Sequence, residues 1–393
     1  MPSFDAPDFY QLDDLLTAEE HALRDAVREW VDRRFLPVIA QHYRDGSFPL
    51  DLVPELADLG VFGPSIKGHG CAGLGSVAAG LIMRELERGD SGLRTFASVQ
   101  GSLAMMAINL FGSEEQKKRW LPAMARGEKL GCFALTKPDF GSNPAGMQCR
   151  ATKTADGYRL NGAKKWIGNG TIADVAIVWA KLDGDEPKQV RGFLVEKDSP
   201  GFKVTLMEGK LSLRAALTAE LAFENCEIPA SALLPESSGL RSPLECLNHA
   251  RYGIAWGAIG AAMACFDEAR QYAMQREQFG RPIASFQLVQ AKLARMLTEI
   301  TKAQLLALRL AQLKDAGAAK HYHISMAKMN NVEIALDAAR TARDILGGVG
   351  ILDSHQCFRH MCNLESVKTY EGTHDIHQLV LGQQITGIAA FGV

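Results

Sequence analysis

Glu371 is the residue of this sequence best placed to meet a ligand. It stands in the stretch Val367-Lys368-Thr369-Tyr370-Glu371-Gly372-Thr373-His374-Asp375-Ile376-His377, between an aromatic ring and a glycine. Ile376, Leu379 and Val380 follow at helical spacing, and Thr373 sits where an N-cap belongs. The pattern puts Glu371 in a tight connection. Glycine lets the backbone come close to a ligand there, and the next helix offers unpaired N–H groups. The same pattern also suits an exposed first-turn glutamate, and the rest of the chain has to decide between the two.

With 393 residues, 47% of them hydrophobic, the chain can bury a large core in two or three domains. A net charge of −2 gives no reason to expect nucleic acid or an anionic membrane as partner. No apolar run approaches membrane-spanning length. The opening Met1-Pro2-Ser3-Phe4-Asp5 carries an acidic residue and no basic leader, so no signal or transit peptide is expected. The eight cysteines are scattered, without a Cys-x-x-Cys pair or a His/Cys ligand spacing. They read as reduced core residues of a cytoplasmic protein without a metal site. No internal repeat or low-complexity segment stands out.

The elements that must position Glu371 come in three blocks. Residues 1–130 read as helical: Thr17-Ala18-Glu19-Glu20 is a capping box ahead of an apolar stripe at Leu23, Val27, Trp30 and Val31. Further helices are expected over Ser76 to Arg88 and Ser98 to Leu110, and Ser113-Glu114-Glu115-Gln116 opens a charged one. Residues 131–239 change to period two. Tyr158-Arg159-Leu160-Asn161-Gly162 looks like a strand entering a turn, and Val175–Ala180, Val190–Val195 and Leu221–Glu224 read as strands, the last ended by Pro229. Residues 240–393 return to long helices at Arg251–Arg276, Phe286–Asp315 and His321–Leu346, whose length suits a bundle.

Two glycine clusters, Gly70-Cys71-Ala72-Gly73-Leu74-Gly75 and Gly347-Gly348-Val349-Gly350, are not dinucleotide fingerprints by context. Such a fingerprint follows a buried strand and opens a helix. The first cluster lacks a preceding Val/Ile run, and the second follows a helical pattern.

Several motifs stand in order along the chain: Ser91-Gly92-Leu93-Arg94, Phe133-Ala134-Leu135-Thr136-Lys137-Pro138 with Gly141-Ser142, Trp166-Ile167-Gly168-Asn169, Arg276-Glu277-Gln278-Phe279-Gly280 with Gln287, Leu346-Gly347-Gly348-Val349-Gly350 and Tyr370-Glu371-Gly372-Thr373. With these and its α–β–α order, the chain resembles the acyl-CoA dehydrogenase family over nearly its whole length. Within the family it looks most like the glutaryl-CoA dehydrogenases, on Arg84–Gly92, Ala250–Trp256 and the tail from Asn363 to Phe391. The resemblance implies an α+β fold with an N-terminal helical domain, a middle β domain and a C-terminal four-helix bundle.

It also implies chemistry. The family oxidises an acyl-CoA across its α and β carbons and passes two electrons to FAD. The α C–H is a weak acid, so a carboxylate must be held against it in a dry site, and Glu371 matches that base. Burial should raise its pKa, with the following helix N-terminus opposing part of the shift. Its backbone N–H is expected to help hold the thioester oxygen. Some members carry the base on a C-terminal helix, at the position that is Ala250 here. Phe133, Leu135, Thr136, Gly141, Ser142, Trp166 and Gly168 match flavin-lining positions. Thr373 and Asp375 would contact FAD near the base. Arg276, Phe279, Gln287, Gly347 and Gly348 would reach the FAD of a neighbouring subunit in a homotetramer. Arg94 is the group expected to pair with the distal carboxylate of glutaryl-CoA, with a structural ion pair to Asp90 as its other reading. Glu87, Thr95, Ser98, Ser142, Asn248, Arg251, Tyr370 and Gly372 complete the expected substrate contacts. Loss of CO2 after oxidation would leave a dienolate, which protonated Glu371 returns to crotonyl-CoA. Electrons would pass to an electron-transfer flavoprotein.

The chain departs from the pattern in places. Thr95 replaces serine, Lys137, Asp139 and Phe140 replace acidic and small residues, and Asn143 replaces Asp. Gly168 stands where the family has a threonine whose hydroxyl bonds the flavin N5 region. The glycine leaves space beside the ring, for O2, for water or for Thr171. An oxidase, or a dehydrogenase for another short-chain or dicarboxylyl thioester on CoA or a carrier protein, is the alternative. A non-catalytic CoA-ester binder is a third reading, against which the intact Glu371 argues.

Overall fold

The structure is a computed structural model and describes residues 7–184 and 190–390. The reading of Met1–Asp5 concerns residues outside that range. The blocks follow one another as expected, helices, then a sheet, then helices.

Helix α1 (Ala18–Trp30) starts on the capping box: Thr17 Oγ1 accepts from the Glu20 N–H and the Glu20 carboxylate accepts from the Thr17 N–H. Val27, Trp30 and Val31 go into the core. A π-helical turn leads into α2 (Leu36–Asp45), which ends at Gly46 in the left-handed conformation. After α3 (Val53–Asp58) come α4 (Ser76–Gly89) and α5 (Ser91–Ser98), parted by Asp90 alone. A π segment, Val99–Met105, joins α5 to α6 (Met106–Phe111). The helix expected from Ser98 therefore begins earlier, at Ser91, because Asp90 is extended and its Oδ1 accepts from the Gly92 N–H at 2.6 Å. Helix α7 (Glu114–Ala125) starts on the second capping box, at Ser113.

The large sheet has seven strands among the described residues: β1 (Gly131–Ala134), β2 (Arg150–Lys153), β3 (Gly157–Gly168), β4 (Val175–Leu182), β5 (Val190–Glu196), β6 (Phe202–Leu206) and β7 (Thr218–Pro229). Their order is β1-β4-β2-β3-β7-β6, with β5 antiparallel on β4. The turn expected after Asn161-Gly162 does not form. Strand β3 runs on to Gly168 through two register shifts against β7. At the first, Gly162 takes φ +139°, and a Cβ there would stand 2.9 Å from Cys149 Cα. The second shift, between Lys164 and Ile167, turns the Trp166 side chain outward.

Helix α8 (Arg241–Gln275) leads through a hairpin of β8 (Glu277–Gln278) and β9 (Arg281–Pro282) into α9 (Gln287–Asp315), α10 (His321–Leu346), α11 (Cys357–Thr369) and α12 (His374–Thr386). It begins ten residues before the expected Arg251, because Pro243 lies in its first turn, where no helical hydrogen bond is lost. Helix α4 packs on α8 through glycine. A Cβ on Gly260 would come 1.8 Å from the Arg84 carbonyl oxygen, and one on Gly80 would strike the Trp256 ring at 2.4 Å. That closeness brings Glu87 on α4 against the middle of α8. One apolar core runs through all three blocks. The Gly70–Gly75 loop follows no strand and Gly347–Ile351 is a 3-10 turn after α10, so neither has the strand-to-helix context of a dinucleotide fingerprint. Among the described residues no helix is long and apolar enough to cross a membrane, and no metal-binding cluster occurs.

Candidate active site

Glu371 lies in the short connection between α11 and α12. Thr373 caps α12, its Oγ1 accepting from the Ile376 N–H at 3.2 Å. Glu371 itself has φ +52°, the left-handed region, which strains a non-glycine residue by about 1–3 kcal/mol. Three hydrogen bonds on consecutive carbonyls hold that backbone. Arg251 Nε on α8 donates to the Glu371 oxygen at 2.7 Å. Lys328 Nζ on α10 donates to the Tyr370 oxygen at 3.0 Å and the Gly372 oxygen at 2.7 Å. Gly372 has φ +95°, and a Cβ there would stand 2.8 Å from His377 Nε2. His377 is buried, with Nδ1 3.0 Å from Ser325 Oγ.

Burial pushes the Glu371 carboxyl above the usual carboxylate range, while Arg94, Arg251 and Lys328 pull it back down. The expected rise is present, but the opposing charge comes from these three side chains. Glu371 Oε2 is enclosed and has no hydrogen-bond partner among the described residues. A buried acceptor left open is costly unless something arrives to use it. Burial lowers Lys328 to about 7 and His377 to about 3, so the imidazole stays neutral.

Arg94, on α5, is fully buried. Its Nε donates to Glu87 Oε2 at 2.7 Å, one Nη donates to the Tyr370 hydroxyl, and its Nη1 has no hydrogen-bond partner among the described residues. Glu87 Oε1 accepts from Ser91 Oγ at 2.8 Å. The alternative ion pair with Asp90 is not formed. Asp90 instead takes Arg359 Nε at 2.9 Å and Asn363 Nδ2 at 2.8 Å. Thr95 Oγ1 lies 3.4 Å from the Tyr370 hydroxyl, and the Ser98 hydroxyl is buried with no hydrogen-bond partner among the described residues. Burial pushes the Tyr370 phenol up to about 12, against the pull of Arg94. The space for Glu87 exists because residue 257 is glycine: a Cβ there would come 2.0 Å from Glu87 Oε2.

The other expected residues lie as follows. Phe133 and Leu135 are buried, Thr136 is half-buried, and Gly141 and Ser142 are exposed in the loop beyond. Trp166 is 58% exposed with φ +64°, so it is not β-core, and its neighbour Lys165 donates N–H to the Thr136 carbonyl at 3.0 Å. The bulge thus sets an exposed indole beside Thr136. At Gly168 a Cβ would meet Val99 Cγ2 at 3.1 Å, so a valine methyl, not Thr171, borders that glycine. Asn248 is partly buried one turn before Arg251, and Asp375 is exposed in the first turn of α12. Arg276, Phe279, Gln287, Gly347 and Gly348 are all exposed, Phe279 at 92%. Lys328 and His377 were missing from the sequence expectations. Lys328 carried a signal: it sits four residues after Ile324 and four before Val332 on the buried stripe of α10, where an apolar residue belongs.

Three family descriptions match in order: "Acyl-CoA dehydrogenase, N-terminal domain" over residues 17–128, "middle domain" over 132–226 and "C-terminal domain" over 237–386. The chain belongs to the acyl-CoA dehydrogenase family. A glutaryl-CoA dehydrogenase structure from Mycobacterium smegmatis in complex with FADH2 superposes with TM-score 0.95 at 48% identity, covering 98% of each chain. A second glutaryl-CoA dehydrogenase structure from that organism gives TM-score 0.94 at 52% identity, over 97% of this chain and 98% of the other. The human mitochondrial short-chain specific acyl-CoA dehydrogenase is 35% identical over 357 residues, 90% of this chain and 87% of its own.

Proposed function

We propose that this member of the acyl-CoA dehydrogenase family oxidises glutaryl-CoA and decarboxylates the product to crotonyl-CoA and CO2. The observation that carries the reading is the buried guanidinium of Arg94, whose Nη1 has no partner among the described residues. A bound distal carboxylate would satisfy it. The likeness to two glutaryl-CoA dehydrogenase structures supports the same substrate.

The cofactor is FAD, which when bound supplies the two-electron acceptor for the β-hydrogen. The residues present fit it. An indole 58% exposed on a strand bulge, beside Thr136 and a side-chain-free Gly168, is a face for a planar ring. Phe133, Leu135, Gly141, Ser142, Thr373 and Asp375 are proposed to complete this chain's share. Arg276, Phe279, Gln287, Gly347 and Gly348 are proposed to serve a neighbouring subunit of a homotetramer, for which the exposed Phe279 and Leu288 (79%) argue.

Glu371 takes the α-proton as base, its carboxylate made more basic by burial. Its open Oε2 has the room for that proton. Arg94 holds the distal carboxylate, with Glu87 fixing Nε and Tyr370 orienting the guanidinium face. Thr95, Ser98, Ser142, Asn248, Arg251 and Gly372 are proposed substrate contacts. After oxidation the C–C bond to the distal carboxylate breaks, CO2 leaves, and its electron pair enters the thioester-conjugated dienolate. The proton held on Glu371 returns to the γ carbon. Reoxidation is assigned to an electron-transfer flavoprotein, because a Val99 methyl narrows the space at Gly168 that an oxidase would use.

A thioester lacking the distal carboxylate leaves Nη1 unpaired, a penalty of about 1–3 kcal/mol or roughly 5- to 150-fold in kcat/KM. The test is kcat/KM for glutaryl-CoA against butyryl-CoA in wild type and Arg94→Met. Wild type should prefer glutaryl-CoA, and the variant should lose or reverse that preference. An equal ratio in the two proteins would reject the substrate. A second reading, oxidation of a short monocarboxylyl thioester without decarboxylation, is favoured by one observation: Glu87 already balances the Arg94 charge.

A further inference from the structure

The backbone that carries Glu371 is tied down by a side chain to which the proposed chemistry assigns nothing. Lys328 is 1% exposed and enters no ion pair among the described residues. Its ammonium instead donates to the carbonyls of Tyr370 and Gly372, the residues on either side of Glu371, at 3.0 and 2.7 Å. We propose that Lys328 is a positioning residue for the base: from α10 it grips both flanking peptides and keeps Glu371 in its left-handed backbone, with the carboxylate aimed into the substrate space. The proposal rests on reading Glu371 as the base.

Three observations converge on it. Glu371 has φ +52°, and a non-glycine residue keeps such a conformation only where its surroundings over-determine it. Arg251 holds the carbonyl of Glu371 itself from α8, but among the described residues only Lys328 reaches both neighbouring carbonyls. Packing does not explain the residue either. Ile324, Ala327, Val332 and Ala335 form the same buried face of α10, and an unbranched apolar side chain would fill that position without burying a charge. Lysine differs in bringing three donors and no acceptor on a long stem, and charged donors make the stronger hydrogen bonds. The charge also lies among those that hold the Glu371 carboxyl down against burial, together with Arg94 and Arg251; the Tyr370 hydroxyl and the neutral His377 complete the polar groups around it.

The experiment compares FAD-loaded wild type, Lys328→Met and Lys328→Arg in single anaerobic turnovers with butyryl-CoA and with glutaryl-CoA. Flavin bleaching is followed against substrate concentration and pH, with protonated and α-deuterated thioester. A misplaced base slows the chemical step by about 100-fold, so Lys328→Met should bleach about 100-fold more slowly at saturating substrate. Its Kd should change by less than about threefold, and a full α-deuterium isotope effect should be expressed. The rise of rate with pH should move to higher pH, because the cation that Lys328 places near Glu371 below about pH 7 is gone. Lys328→Arg, which restores donors and charge, should recover at least a tenth of the rate. Lys328→Met bleaching at the wild-type rate with an unshifted pH profile overturns the proposal. Should the Met protein lose its flavin, Lys328→Gln decides by the same readings, since its amide keeps two N–H donors on a shorter stem without the charge. Wild type that bleaches with neither thioester removes the base assignment itself, a result distinct from failure of Lys328 alone.

Discussion

Substituting Gly257→Ala adds one methyl group against the buried Glu87–Arg94 pair. The new Cβ would stand 2.0 Å from Glu87 Oε2, 3.1 Å from Glu87 Cδ and 3.3 Å from Arg94 Nε. Ordinary contact is about 3.5 Å, so the Glu87 carboxylate must retreat by roughly 1.5 Å. A free glutamate would swing aside at little cost. This one is fully buried, bonded to Ser91 on one oxygen and to Arg94 on the other. A retreat that large takes the 2.7 Å bond to Arg94 beyond the ~3.2 Å limit of a good hydrogen bond. Overpacking costs about 1–3 kcal/mol, and a buried pair left without one partner about 3–5. Partial relaxation puts the expected loss at about 2–4 kcal/mol in denaturant unfolding. With Arg94 displaced, the kcat/KM preference for glutaryl-CoA over butyryl-CoA should fall about tenfold or more, while flavin content holds. A stability change under about 0.5 kcal/mol with an unaltered preference would refute the claim that this glycine makes room for the Glu87–Arg94 pair.

Three further outcomes follow from the geometry of the site. Glu371→Gln should abolish substrate-dependent flavin bleaching yet stabilise the fold. The native carboxyl keeps its proton to higher pH than the unfolded one, so stability falls as pH rises through the interval between those two values. The variant lacks that loss, and its melting temperature should exceed wild type at pH 8 and match it near pH 4. In wild type, kcat/KM should rise with pH through the same elevated value, as Glu371 loses its proton. Trp166→Ala removes a side chain 58% exposed, so chemical stability of the apoprotein should change by less than about 0.5 kcal/mol. Flavin retention on gel filtration should drop clearly, and unchanged retention would remove Trp166 from the cofactor face.

The fold was largely legible because its signals are local. Capping boxes at Thr17 and Ser113 fix two helix starts, and the change from period 3.6 to period two near Gly131 marks the sheet. The misses also have local causes. Asp90 hides a helix start between two apolar runs, Pro243 looks like a breaker although it sits in a first turn, and Gly162 looks like a turn although it is a bulge. In the candidate site, Glu371, Gly372 and Thr373 were readable as a tight connection ahead of a cap; the strain at Glu371 shows only in its backbone angle. The partner of Arg94 was not. Asp90 is nearer in sequence, but Asp90 faces Arg359 and Asn363 while Glu87 and Arg94 meet across α4 and α5. Lys328 was overlooked because its role is toward backbone carbonyls 42 and 44 residues away, which no motif encodes.

The most direct test of the central claim is a single anaerobic mixing of the FAD-loaded protein with glutaryl-CoA, with flavin absorbance followed and products identified by mass. Bleaching of the oxidised flavin band together with crotonyl-CoA and CO2 is the expected result. Bleaching with glutaconyl-CoA alone would keep the oxidation and reject the decarboxylation. No bleaching with glutaryl-CoA, in protein that bleaches with butyryl-CoA, would contradict the assignment of Arg94 to a distal carboxylate.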